Sequence, residues 1–257
     1  MESLVEKYRP LRIQDFIGIE TPRKILTAFA KRPYSASFLL VGPSGLGKTC
    51  LGLALAREIG AEVHHLASRQ CDLESVQELV RKCHYAPMFS TNGSGWHVCL
   101  VDESDQASKA AQHSFLSVLD TTGVIEQSVF VFTANSTANL EDRFLSRCRK
   151  LTFTTEGLLE PAAALLDRVW RAEGGKKAKT PDFAAIVTAA RFNIRECLMV
   201  LETELLAPGT FKPPEPAAQV IHAIAPSDGR KIVDPARRAA ALRAWETMRA
   251  RRTVNAI

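Results

Sequence analysis

The sequence predicts an α/β fold: a five-stranded parallel sheet covered by helices on both faces, followed by a small domain of three helices. Three observations carry this prediction. Apolar runs of strand length alternate with segments of helical periodicity as far as Thr155. Those runs are apolar almost throughout, as strands buried on both faces are. Beyond Thr155 only helical patterns remain.

The elements follow in order. "SFLLVG" (37–42) is a short apolar run closed by glycine, and "KTCLGLALAREIG" (48–60) continues as an apolar helix ending at Gly60. "EVHHLA" (62–67) makes a second strand. In "DLESVQELVRKC" (72–83), Leu73, Val76, Val80 and Cys83 fall at helical spacing behind Asp72, a capping residue type. "MFSTNGSG" (88–95) is a loop, "WHVCLVD" (96–102) a buried strand and "ASKAAQHSFLSVLD" (107–120) a helix. "SVFVFTAN" (128–135) and "KLTF" (150–153) complete the strands. The helices "EPAAALLDRVWRAE" (160–173), "PDFAAIVTAA" (181–190) and "FNIRECLMVLETELLA" (192–207) pack as a bundle, with "GGKKAKT" (174–180) as a turn. "APGTFKPPEPAA" (207–218) holds four prolines and reads as a linker, and "DPARRAAALRAWETMRARR" (234–252) as one basic helix. The expected domains are therefore α/β over 1–155, helical over 156–207, a proline-rich linker over 208–225 and a basic helical tail over 226–257.

Composition narrows the class. With 46% hydrophobic and 24% charged residues the chain reads as a soluble globular protein. No run of eighteen apolar residues occurs, and "MESLVEKYRP" is acidic and polar where a signal peptide would be basic and then apolar. No membrane role is expected, and the expected location is cytoplasmic, or at the nucleoid or in a nucleus. Six scattered cysteines show no C-x-x-C pair. They read as small buried apolar residues; His64-His65 beside Cys71 comes nearest to a metal candidate, and a strand-end histidine pair is the preferred reading. From Pro208 onward nine Lys/Arg face four Asp/Glu, a balance of 9 − 4 = +5 that equals the net charge of the whole chain. Nucleic-acid affinity in the body must then come from a local patch.

"GPSGLGKT", Gly42 to Thr49, matches G-x-x-x-x-G-K-[ST] between a predicted strand and a predicted helix, the context that distinguishes a phosphate-binding loop. Gly42, Pro43, Ser44, Gly45, Leu46 and Gly47 can turn amide hydrogens toward phosphates, and the helix N-terminus adds partial positive charge. Lys48 then meets the β and γ oxygens of ATP, Thr49 holds Mg2+, and the binding run extends to Cys50. "VCLVDE" (98–103) ends a buried strand in two acids. Asp102 is suited to the magnesium, and Glu103 to orienting or deprotonating the attacking water. Paired acids also begin ordinary solvated loops, but the phosphate loop about fifty residues upstream selects the catalytic reading. Asn135 closes the next buried strand, where it can hydrogen-bond the γ-phosphate or that water; asparagine is also a common turn residue.

Taken together and in order, "EKYRP" (6–10), "GPSGLGKT", "VDESD" (101–105), "FTAN" (132–135), "LSRC" (145–148) and "FNIRE" (192–196) resemble a family. From Val5 to Leu206 the chain is similar to the AAA+ clamp loaders, specifically small subunits of replication factor C and the corresponding phage ATPase subunit. Holliday-junction helicases share the style of phosphate loop but not "LSRC". The resemblance implies an AAA+ P-loop NTPase fold with a helical lid, ATP hydrolysis, and assembly with other AAA+ subunits. It further implies sequence-tolerant binding of primer-template DNA and a sliding clamp as protein partner.

In such clamp loaders the Ser-Arg-Cys arginine is a finger offered to the neighbouring subunit's ATP, so the resemblance assigns that role to Arg147. A plain surface arginine is the other reading; the only acids near it in sequence are Glu141 and Asp142. By the same carry-over Tyr8 and Arg9 border the adenine pocket, and Arg195 contacts the subunit's own γ-phosphate, with an exposed helix arginine as the alternative. Arg69 and Lys109, at the starts of the two helices expected to face a central channel, are the DNA candidates. Two departures weaken such transfers: "SRQCD" (68–72) replaces the family's acid-Arg-Gly run, and Leu116-Ser117 stands where an arginine pair is common. The residues after the linker are also too few and too polar for the family's collar domain. Two other readings stay open: a DNA-associated AAA+ ATPase that loads no clamp, and a nucleotide-binding assembly subunit without catalysis.

Overall fold

A computed structural model describes residues 2–67, 72–85, 94–120, 125–175 and 180–212. Arg69, the expected linker beyond Lys212 and the expected basic helix lie outside these residues. α1 (Leu4–Lys7) and α2 (Glu20–Lys31) precede β1 (Ala36–Val41), and α3 (Lys48–Ile59), β2 (Glu62–Leu66) and α4 (Leu73–Cys83) follow it. Next come β3 (His97–Val101), α5 (Lys109–Leu119), β4 (Ser128–Ala134), α6 (Asp142–Leu145) and β5 (Arg149–Thr152). α7 (Leu159–Ala172), α8 (Phe183–Ala189) and α9 (Ile194–Leu206) form the helical part. The strands make one parallel sheet in the order β2-β3-β4-β1-β5.

The inner strands β1, β3 and β4 are apolar almost throughout because each feeds two cores in alternation, whereas the edge strands β2 and β5 carry exposed polar residues. Phe38, Leu40, Val98, Leu100, Val129 and Val131 point to the side of α2, α3 and the helical domain. Leu39, Val41, Cys99, Val101, Phe130 and Phe132 point the other way, onto α4, α5 and α6. On that second face Phe132 meets Phe115 and Phe144 edge to face, with ring centroids 5.0 and 4.8 Å away. Asp72 caps α4 as its sequence suggests, accepting from the Ser75 amide at 2.8 Å, and Ser108 caps α5 in the same way. α2 is an element absent from the sequence reading, although its buried residues, Pro22, Leu26 and Phe29, fall at helical spacing.

Candidate active site

Parallel pairing brings the C-terminal ends of β1, β3 and β4 to one edge of the sheet, with β4 between the other two. The loop Gly42–Gly47, the Asp102–Glu103 pair and Asn135 therefore gather at one place, the usual ligand position of such sheets. Gly45 and Gly47 have φ of +79° and +84°, a conformation that L side chains rarely adopt, and α3 starts directly after Gly47.

Lys48 is charged yet buried, and it is satisfied. Its Nζ donates to the carbonyls of Gly42 (2.7 Å) and Pro43 (2.9 Å) and to Asn135 Oδ1 (2.9 Å). Burial pulls the ammonium below its ordinary range; the carboxylates of Asp105, Asp102 and Glu103 oppose that pull, and the like charge of Arg195 adds to it. An incoming anion would oppose that pull and favour the charged form.

Asp102 is held through both oxygens. Its Oδ1 accepts from Thr49 Oγ1 (2.8 Å) and Thr133 Oγ1 (3.0 Å), and its Oδ2 lies 2.7 Å from His65 Nε2. The Thr133 hydroxyl also accepts from the Glu103 amide at 3.0 Å, so one side chain positions both acids. Glu103 sits at φ +50°, left-handed and costly for a residue with a side chain, a kind of strain that clusters at functional sites. Its carboxylate is exposed and accepts from Gln106 Nε2 at 3.2 Å. Asp105 Oδ2 accepts from the amides of Asn135 and Ser136 and so fixes the β4 tip. A carboxylate and a hydroxyl in contact, both hard oxygen donors, fit magnesium at Asp102 and Thr49.

The helical domain closes over this edge. Arg191 and Phe192, both left-handed, deliver Asn193 to the N-terminus of α9, where its Oδ1 accepts from the Glu196 amide. The Asn193 side chain lies against Gly45, so that a Cβ on that glycine would overlap it. Arg195 in the first turn of α9 is exposed and close enough to Lys48 for their charges to interact. From the other side Tyr8 donates to Glu173 Oε1 at 2.5 Å, and Lys7 pairs with the same oxygen at 2.8 Å. Arg9 reaches the Cys50 side chain. The "EKYRP" segment thus joins the end of α7 to the start of α3.

Arg147 is elsewhere. Ser37, at the start of β1, donates its hydroxyl to the Arg147 carbonyl at 2.6 Å, whereas the phosphate loop leaves the other end of that strand. Five residues at ~3.3 Å each separate the two ends by roughly 16 Å. The acid that answers Arg147 is neither Glu141 nor Asp142 but Asp120, which takes a forked pair of bonds of 3.0 and 3.1 Å, while the Arg143 carbonyl accepts a third at 2.9 Å. Arg147 holds the Asp120 carboxyl below its usual range, chiefly through that hydrogen bond. Lys109 is exposed at the first position of α5. Among the residues that sequence reasoning left out, Thr133, Asp105 and Asn193 stand inside the quoted motifs "FTAN", "VDESD" and "FNIRE". Asp120 carried no local signal, and His65 was singled out only in the His64-His65 pair, not as a partner of Asp102.

Residues 38–155 match the family model described as ATPase family associated with various cellular activities (AAA). A replication factor C small subunit of Methanothermobacter thermautotrophicus is 29% identical over 156 residues, 58% of this chain and 47% of that one. The corresponding subunit of Methanosphaera stadtmanae is 24% identical over 237 residues, 90% of this chain and 72% of the relative. The chain is similar in sequence to these small subunits. The probable replication factor C subunit 2 of Dictyostelium discoideum adds 31% identity over 157 residues, 58% of this chain and 45% of the relative. The chain spans about half the length of the Methanothermobacter and Dictyostelium proteins. In fold it is similar to the RuvB Holliday junction branch migration motor of Thermotoga maritima, with a TM-score of 0.60 at 20% identity, covering 76% of this chain and 64% of that one. The α/β AAA fold with its helices following the sheet is thereby established. Among the described residues no helix is long and apolar enough to cross a membrane.

Proposed function

We propose that this AAA chain is an ATPase of the clamp-loader type, acting on DNA, in which ATP is bound by one copy and its hydrolysis completed by the next. One observation carries the reading: Lys48, Thr49, Asp102, Glu103 and Asn135 converge at one end of the sheet, while Arg147 stands at the opposite end of the same strand. Its distance from its own copy's phosphate loop supports a role at another copy's nucleotide.

The β and γ oxygens of ATP replace the Gly42 and Pro43 carbonyls as partners of Lys48, and the loop amides take the remaining phosphate oxygens. Asn135, released from Lys48, turns toward the γ-phosphate. Glu103 orients a water and takes its proton as the water oxygen bonds to the γ phosphorus; the bond to the β–γ bridging oxygen breaks, leaving ADP and phosphate. Magnesium, held by Thr49 and Asp102, would neutralise charge on the phosphate oxygens. Arg195 approaches from the lid, and Tyr8 and Arg9 stand beside the start of α3 where the adenine would lie. Arg147 of the neighbouring copy gives up Asp120 for the developing phosphoryl charge.

The DNA part of the proposal rests on the replication factor C relatives; Lys109 is the described candidate contact, and Arg69 the second. A sliding clamp is the proposed cargo, and absence of ATP-dependent clamp capture would leave an ATPase on DNA without clamp loading. Subunit sharing has a direct test. Arg147→Ala should lower ATPase about a thousandfold, and mixing it with Lys48→Ala, which keeps its arginine, should restore part of the rate. No recovery at any mixing ratio would overturn the shared site.

A further inference from the structure

A second group of ligand-type side chains lies at the strand-start end of the sheet, away from the phosphate loop. The two-residue period of a strand sets His64 and Leu66 of β2 on the same face as His97, Cys99 and Val101 of β3, with His64 directly beside Cys99. α4 covers that face, and its last residue, Cys83, packs there beside Cys99. His64 Nε2 and His97 Nδ1 are 2.9 Å apart, and these two nitrogens and the Cys83 sulfur all lie within 4.8 Å of one another.

Each donor is prepared. His97 Nε2 stands 2.8 Å from the Tyr85 carbonyl, which can only accept, so this nitrogen carries the proton and Nδ1 turns its lone pair toward the group. The Cys83 sulfur lies 3.1 Å from that of Cys99. Of the two sulfurs it is that of Cys83 that lies with the histidine nitrogens, and Cys99 stands behind it as a buried hydrogen-bonding neighbour. β2 is an edge strand and His64 is only half-buried, so an ion has a way in from solvent.

The geometry points to a zinc site: we infer that His64 Nε2, His97 Nδ1 and Cys83 Sγ bind one zinc ion, with water in the fourth position. Two imidazoles and a thiolate are the donors zinc prefers, and bonds of about 2.0–2.3 Å would set the ligand atoms roughly 3.3–3.6 Å apart. The histidine nitrogens need then move apart by only about half an ångström from hydrogen-bond distance. The ion would tie the end of α4 to β2 and β3, adding to the sheet ladder and the hydrogen bonds already at this corner. The inference is independent of the nucleotide reading.

Cobalt tests it. The untagged full-length chain, reduced and stripped with a chelator, is titrated with Co2+ without ATP or magnesium. One equivalent should bind with the thiolate-to-cobalt charge-transfer band and the ligand-field bands of a four-coordinate centre, and zinc should displace it and raise the melting temperature. Cys83→Ser should remove the charge-transfer band, His64→Ala and His97→Ala should weaken binding about 100-fold or more, and Cys197→Ala in α9 should leave the spectrum intact. His64 is half-buried, so His64→Ala tests the site without opening the core, and metal-free unfolding of each variant checks its fold. No bound cobalt, or an unchanged spectrum in Cys83→Ser or unchanged affinity in His64→Ala, would leave only a shielded histidine pair and overturn the site.

Discussion

Glu103 is the residue on which turnover should depend most narrowly. Thr133 accepts from its amide, its backbone is left-handed, and its carboxylate is exposed at the end of β3. Glu103→Gln keeps the shape and the Gln106 contact but cannot take a proton. It should lower ATPase by about 10²–10⁴ with nucleotide binding retained, measured by single-turnover hydrolysis beside equilibrium binding; unchanged turnover would point to a non-catalytic assembly subunit. Most of this constellation was legible in the sequence, because each motif closes a strand and parallel strands end together. What stayed hidden were partners made by the fold. Asp120 reaches Arg147 across 27 residues, because α5 carries it back to the strand-start end, and no spacing rule joins the two. His97 and Cys83 were hidden in the same way: the sequence offers His64, His65 and Cys71 as neighbours, whereas strand pairing puts His64 beside β3 and the end of α4.

Among the elements, α9 has a terminus that can be tested alone. Its Glu204 is buried and accepts from the Gly209 and Phe211 amides and the Thr210 hydroxyl, fastening the chain that leaves the helix. Burial by itself would raise this carboxyl, but the amides of Gly209 and Phe211 with Thr210 outweigh it and hold it below its ordinary value. A depressed carboxylate stabilises the fold at pH above its unfolded value, and the stabilisation is lost as pH falls through the folded one. Glu204→Gln should therefore cost about 2 kcal/mol at neutral pH, and the gap from wild type should close on acidification. Melting curves from neutral to acid pH would check both; a gap independent of pH would contradict the assignment. α2 shows why elements near the N-terminus were harder to read. Pro22, Leu26 and Phe29 do recur at helical spacing, but the run is short and opens with a proline in its first turn, and packing on α3 and β5 secures the helix.

For the molecule as a whole the proposal makes rate a function of assembly. ATPase per chain should rise with protein concentration and with DNA of any sequence, and a verified monomer turning over at the full rate would exclude the shared site. DNA affinity should fall linearly with the logarithm of salt, and Lys109→Ala should lessen that slope by about one. Ser37 stands near the start of β1 and touches Arg147, and Gly42 follows the end of that strand and opens the phosphate loop. On the proposed reading, giver and receiver therefore occupy opposite poles. Copies that join pole to pole form a directional file with a vacant receiver at one end and an idle giver at the other, so the file extends until it curls into a closed circle or a differently built neighbour stops it.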